Sequence, residues 1–410
     1  MVASGYRRCL ALMQLRLGLY SAAFLRALGT SALGVFLGVH LAERGLSASA
    51  IGGIISAGLA GTAIAAGFVT FWGDRFRPIA LLIGLAGLSV LGIAGLWTFK
   101  TPVLLGAAAL IGMANGMGRD RGAALVLEQA LLPATASGRE RTQTIAWYTM
   151  LQDFGHALGA LLPSVIAALG KRHAAGTSGE MTLALLGSLS LSAVLIYARL
   201  DAARLPASRT EPQRISARSR GILARICALF AIDALAGGFL TTALVSYFFF
   251  ERFGVGMNVI GPLFFGARLM NAASHLAAAR LAKRIGLVAT MVLTHIPSSL
   301  LLITVAFAPT LTIAMVLFLL REGLVEMDVP TRQSYVLAVV EPAERTFASG
   351  ITNLVRLGAW AVAPWFAGSL MQNERLYLPL VIGAAMKIAY DLMLWKAFRS
   401  VRPPEEQPAS

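Results

Sequence analysis

The chain states one passage twice. Arg26-Ala27-Leu28 is echoed by Asp233-Ala234-Leu235, Glu43-Arg44 by Glu251-Arg252, Ile51-Gly52 by Ile260-Gly261, and Asp74-Arg75 by Lys283-Arg284, at offsets of 207–209 residues. Glu140-Arg141-Thr142 returns as Glu344-Arg345-Thr346 at an offset of 204. A repeat of this length predicts two halves packed about a pseudo-twofold axis. In a membrane protein that arrangement usually encloses a path at the interface of the halves.

Lipid is the solvent that composition demands. Hydrophobic residues make up 57% of the 410 and charged residues 13%, against roughly 25% charged in soluble domains. Only helices and closed barrels satisfy their backbone groups in lipid. The apolar runs are about twice as long as a barrel strand and do not alternate, so they fit helices of about 20 residues. Twelve spans are expected, near 17–40, 49–72, 79–99, 102–131, 143–169, 181–199, 222–249, 256–281, 286–307, 309–340, 347–371 and 376–396. The all-α membrane fold then divides into a six-helix bundle over 1–199, a basic linker over 200–221, a second bundle over 222–397 and a disordered tail over 398–410. The first apolar run is too long for a cleaved signal.

Several chemistries have no footing here. Cys9 and Cys227 lie in different regions, which implies neither a disulfide framework nor a metal site. No phosphate-loop, His-Glu-x-x-His or Gly-x-Ser-x-Gly motif is present, so no enzyme and no cofactor are expected. Among loop cations, only Arg44, Lys100, Lys171, Arg172, Arg252 and Arg375 fall on the side opposite the termini. The positive-inside rule places both termini in the cytoplasm of a cell bounded by this inner membrane. The net charge of +15 is read as loops facing anionic lipid rather than nucleic acid.

The spans themselves carry balanced charge. Arg26, Arg119, Arg121, Arg268, Arg321, Arg332, Arg356 and Lys387 are matched by Asp120, Glu128, Asp153, Asp233, Glu322, Glu326, Asp328 and Asp391. Each costs at least ~2.5 kcal/mol at a helix centre in lipid unless it is paired or wet. The fourth and tenth spans, which are repeat partners, carry the most.

This pattern resembles the major facilitator superfamily over essentially the whole chain. The resemblance implies helices 1, 4, 7 and 10 around a central cavity, with 3, 6, 9 and 12 bracing it. Gly73-Asp74-Arg75-Phe76-Arg77 resembles the family's loop after the second helix, without the family's Gly between Phe76 and Arg77 and with Thr70 where an earlier Gly stands. It implies a gating role for Asp74 and Arg75. Gly112 to Gly118, interrupted by Asn115, partly resembles the fourth-helix signature, and Gly155, Gly159 and Pro163 an exporter element of the fifth. Met327 to Tyr335 resembles a phrase of bacterial efflux-type members.

Arg26 lies about nine residues into the first span, roughly 13 Å deep, and Asp233 lies at similar depth in the seventh. Related by the repeat axis, the two are expected to meet across the cavity, either as a pair that substrate or a proton breaks or as a permanent ion pair. Asp233 and Asp153 are the candidate proton carriers. Asp153 and His156, one turn apart, read as a relay or as an isolated buried His. Arg268 and Arg356 suit an anionic substrate group or the acids of the tenth span. Arg119, Asp120, Arg121, Glu326, Asp328 and Arg332 read as an inner gate ahead of a substrate site, with Pro330 freeing the Glu326 carbonyl. Lys387 and Asp391 read as a local structural pair, and His295 as structural.

The function expected is a monomeric secondary transporter working by alternating access, with protons and a small organic molecule as its partners. Export is the first reading. Import of an organic anion is the second, and a non-transporting receptor or lipid-handling scaffold the third.

Overall fold

In the computed structural model of the protein, residues 2–136, 140–170, 177–200, 216–327, 344–372 and 375–398 are described. They are overwhelmingly helical, as the apolar runs require. The first half comprises α1 (Val2–Glu43), α2 (Ala48–Trp72), α3 (Pro78–Thr98), α4 (Pro102–Ile111), α5 (Ala123–Leu131), α6 (Arg141–Gly170) and α7 (Thr177–Ala198). The second comprises α8 (Ala217–Gly238), α9 (Thr242–Phe253), α10 (Met257–Ile285), α11 (Leu287–Ala306), α12 (Leu311–Val325), α13 (Arg345–Leu370) and α14 (Leu378–Phe398). These helices fall on the expected spans and are compatible with twelve crossings. Residues 201–215 of the expected linker and 399–410 of the expected tail lie outside the described residues, and α8 begins within the expected linker.

Local chemistry sets the ends. Ser47, Thr241 and Thr310 cap α2, α9 and α12 with their hydroxyls. Pro78 and Pro102 open α3 and α4, where a missing N–H costs nothing. Large apolar side chains such as Ile64, Leu91 and Val103 point outward, which is the surface a bilayer covers.

Two spans differ from expectation by being broken. The fourth unwinds between α4 and α5, and the seventh between α8 and α9. In the fourth, Met113 and Gly118 take positive φ of 52° and 66°, which a continuing helix cannot accommodate. Asn115 holds the unwound turn: its Oδ1 accepts from the Met117 N–H at 2.9 Å and its Nδ2 donates to the Arg119 carbonyl at 2.6 Å. Among the described residues of span ten, the helix ends at Val325 and the chain turns at Glu326 and Met327.

Within the halves, α3 packs on α7 and α11 on α14, the repeat-related bracing pairs. Between the halves, α2 packs on α13 and α6 on α10, again related by the repeat, and α1 packs on α9. These crossings are close because small residues line them. A Cβ on Gly34 would collide with the backbone of Gly118, and one on Gly52 with the carbonyl of Pro364. Small residues at such crossings let backbones pack where no hydrophobic force drives helices together.

Candidate functional site

The unwound fourth span reaches across to the second half. The carbonyl of Gly116 accepts from the Ala243 N–H at 3.0 Å. The carbonyl of Met117 accepts from the Thr242 hydroxyl at 2.8 Å, and that of Gly118 from Arg268 Nη2 at 3.1 Å. Backbone groups freed by unwinding thus find partners at the start of α9 and on α10. Irregular backbone at membrane depth survives only where it is satisfied in this way or lines a cavity.

A cavity of ≈ 1000 Å³, part of it open to solvent, lies between the halves at this level. Its walls carry Arg119, Arg121, Arg268, Arg321, Arg356 and Lys387 against Asp233, Glu322 and Glu326. Among the described residues, cations outnumber carboxylates two to one. Trp360 adds an aromatic wall, with the guanidinium carbons of Arg121 and Arg356 at 5.2 and 4.9 Å from its ring centre. Contacts of that length are cation–π attractions.

Arg26 and Asp233 do not form the expected pair. Arg26 donates from Nε to Asp120 at 2.6 Å and grips Glu128 with both Nη atoms, at 2.9 and 2.6 Å. The hydroxyls of Tyr148 and Tyr197 donate to the same Glu128 carboxylate at 2.6 and 2.5 Å. Glu128 is wholly buried. This network ties α1, α5, α6 and α7 together inside one half. Asp233 instead pairs with Arg356 at 2.9 Å and Lys387 at 3.0 Å inside the other half. Each side chain stands at a repeat-related position, and each finds opposite charge within its own bundle before it can cross the cavity. Asp233, Arg356 and Arg268 line the cavity; Arg26, Asp153 and His156 are not among its lining residues.

The gate residues divide. Arg119 and Arg121 meet Glu326 across the halves at 3.0 and 3.9 Å. Asp120, between them in sequence, faces its own half and holds Arg26. Asp74 and Arg75 sit exposed in a short 3-10 turn, Gly73–Arg75, and make no ion pair among the described residues. Asp328 and Arg332 lie outside the described residues. Asn271 of α10 joins this lock: its Oδ1 accepts from Arg119, and its Nδ2 donates to the Glu322 carboxylate at 2.9 Å. Arg321 is ion-paired with the adjacent Glu322.

The relay of Asp153 and His156 is not assembled. His156 Nε2 accepts the Asp120 backbone N–H at 2.9 Å, so that nitrogen carries no proton and the side chain serves the unwound turn. Asp153 is exposed and makes no ion pair among the described residues. Arg268 and Arg356 bond different partners: Arg356 holds Asp233, and Arg268 holds the Gly118 carbonyl and, at 3.3 Å, the Thr242 hydroxyl. Lys387 and Asp391 are not partners. His295 stands between them, with Nδ1 at 3.0 Å from Asp391 and Nε2 at 3.2 Å from Lys387 Nζ. Asn271, Thr242 and Trp360 carry no charge, and no spacing in the sequence marked them.

Two bundles, broken helices at the interface and a charged cavity between them define a membrane carrier. The chain belongs to the Major Facilitator Superfamily, whose profile matches residues 19–364, and it is a transporter rather than an enzyme. An uncharacterized membrane protein of Saccharomyces cerevisiae, YJR124C, is 25% identical over 420 residues, covering 93% of this chain and 94% of the yeast protein. The nucleoside transporter NupG superposes with a TM-score of 0.71 at 14% identity, covering 95% of this chain and 99% of the other. The partially occluded inward open form of the xylose transporter XylE from E. coli gives 0.72 at 15%, covering 97% and 100%.

Proposed function

We propose that this secondary transporter carries a small organic anion, coupled to protons, through a site built around Arg268. Nucleoside and xylose carriers share the fold, so the fold leaves the substrate open, and the cavity's charge supports the anion reading. Arg268 is the observation that carries it. Its guanidinium lines the cavity, bonds only neutral oxygens and has no carboxylate partner among the described residues. Its Nε is sealed from solvent with no hydrogen-bond partner. A cation so placed costs several kcal/mol of desolvation, which an anionic ligand would offset. A carboxylate or phosphate group suits it, because guanidinium binds both in a two-pronged fashion.

Proton coupling is supported by Asp233. An anion that takes over Arg356 and Lys387 would strip Asp233 of its counter-charges and favour its protonation. Alternating access would then run through the Arg119–Glu326 lock, which joins the halves. The export suggested by the efflux resemblance and the import of an anion differ only in the direction of net flux. The loop cations support termini in the cytoplasm of an inner membrane.

Thermal unfolding of the purified chain, screened against carboxylates and phosphate esters with neutral sugars and nucleosides as controls, tests the substrate class. A ligand bound only by the folded state raises the melting point. Arg268→Gln should weaken binding of the stabilising anion by roughly 10- to 100-fold, the value of a charge-assisted hydrogen bond. Stabilisation by neutral solutes alone, or unchanged anion binding in the variant, refutes the reading. Counterflow in right-side-out and inverted vesicles under an imposed pH gradient reads the direction, and binding without flux would mark a receptor.

A further inference from the structure

The bracing helices ought to be chemically silent, yet α11 and α14 hold a charged chain that ends in the cavity. Asp391 Oδ1 lies 3.0 Å from His295 Nδ1, and His295 Nε2 lies 3.2 Å from Lys387 Nζ. Lys387 Nζ lies 3.0 Å from Asp233 Oδ1, and Asp233 Oδ2 lies 2.9 Å from Arg356 Nη1. Asp391, His295 and Asp233 are 0%, 1% and 2% exposed. Ionisable groups at membrane depth are expensive and rarely kept for packing alone.

The bonding pattern assigns the protons. An ammonium can only donate. Nε2 must therefore accept from Lys387, and Nδ1 carries the hydrogen that it donates to Asp391. His295 is neutral in this arrangement and has one nitrogen free to take a proton, provided that Lys387 withdraws. Asp391 has further capacity for positive charge: its Oδ2 is buried with no hydrogen-bond partner. A purely structural network would use both oxygens.

We propose that His295, backed by Asp391, is a second proton-uptake site besides Asp233, and that Lys387 transmits its protonation to the substrate cavity. This deepens the anion reading and rests on it for the identity of the cargo. A proton from water adds to Nε2, and the imidazole becomes an imidazolium facing the Asp391 carboxylate. The Nζ–H···Nε2 hydrogen bond breaks; no other bond is made or lost, and Lys387 keeps its own protons. Two cations then stand where one hydrogen bond stood, and the ammonium is driven toward Asp233 and the cavity. The cavity gains positive charge when the proton is bound, so proton and anion favour each other's binding. By reciprocity, an anion drawing Lys387 away frees Nε2 and raises its proton affinity by the same factor.

No other titratable group lies on α11. The charged groups facing His295 are Lys387 and Asp391 of α14, with the Tyr390 ring edge-on at 6.4 Å. Asp233 of α8, Arg356 of α13, Arg321 and Glu322 of α12 and Arg268 of α10 line the same cavity as His295.

The test needs no substrate, so it stands or falls apart from the anion reading. The full chain, with nitrogen-labelled histidine, is followed by NMR in lipid nanodiscs, and His295 is assigned by the resonances lost in His295→Gln. On acidification the signal should pass from the Nδ1–H tautomer to imidazolium. Lys387→Gln should raise its proton affinity about tenfold or more, and Asp391→Asn should lower it by a similar factor. A signal that stays one neutral tautomer throughout overturns the proposal, as does a titration indifferent to both substitutions. If His295→Gln does not fold, the assignment passes to the shift induced by Asp391→Asn.

Discussion

Glu128→Gln should loosen the first half of the molecule more than any other single conservative change. The substitution keeps shape and removes one charge. In the native protein the Glu128 carboxylate is 0% exposed and accepts from Arg26, Tyr148 and Tyr197. With Gln there, Arg26 keeps only Asp120 as a counter-charge, and one amide nitrogen faces donors that expect an acceptor. Breaking a buried pair by removing one partner costs about 3–5 kcal/mol, because the other charge stays buried without compensation. Applied to one half of the chain as the melting unit, at about 2–4 °C per kcal/mol, the loss corresponds to a melting point about 10 °C lower. Thermal unfolding of purified protein in detergent, followed by tryptophan emission, reads the shift. Arg26→Gln should lose a comparable amount, and the double variant less than the sum of the two, since coupled residues are not additive. A Glu128→Gln melting point within about 1 °C of the native protein, or full additivity in the double variant, refutes the reasoning.

Other expectations follow from the same geometry. Exchanging the charges of Arg26 and Asp233 should rescue nothing that the single reversals lose, because their partners sit in separate bundles; restored folding or flux would show that they meet. Asn115→Ala should cost about 1–3 kcal/mol, measured as a lower melting point, since two bonds that hold the unwound turn disappear. Gly34→Leu should part the first helix from the Gly118 turn and lower the yield of folded monodisperse protein on gel filtration; normal yield and melting would deny the close approach. Glu326→Gln removes the carboxylate that Arg119 and Arg121 share, and should raise labelling of cysteines placed along the cavity at least several-fold.

Lipid-scale apolar runs and the doubled passage at Arg26 and Asp233 were enough to point to the helices and the family. Those features are one-dimensional: span length follows bilayer thickness, and a repeat survives in the order of residues. The ionisable side chains buried within the spans were legible too, because their cost in lipid makes each one conspicuous. Which charge meets which was decided only by the tertiary structure. Arg26 and Asp233 sit at matching depth, yet depth says nothing of rotation about the helix axis. Glu128, Tyr148 and Tyr197 converge on one, and Lys387 and Arg356 on the other, from helices far apart in sequence. The same holds for Asn271 and Trp360, which carry no charge and follow no period. Trp360 acts through the cavity it faces and Asn271 through its bonds to Arg119 and Glu322, and the unwound fourth span, its carbonyls laid against Thr242, Ala243 and Arg268, lines part of that cavity.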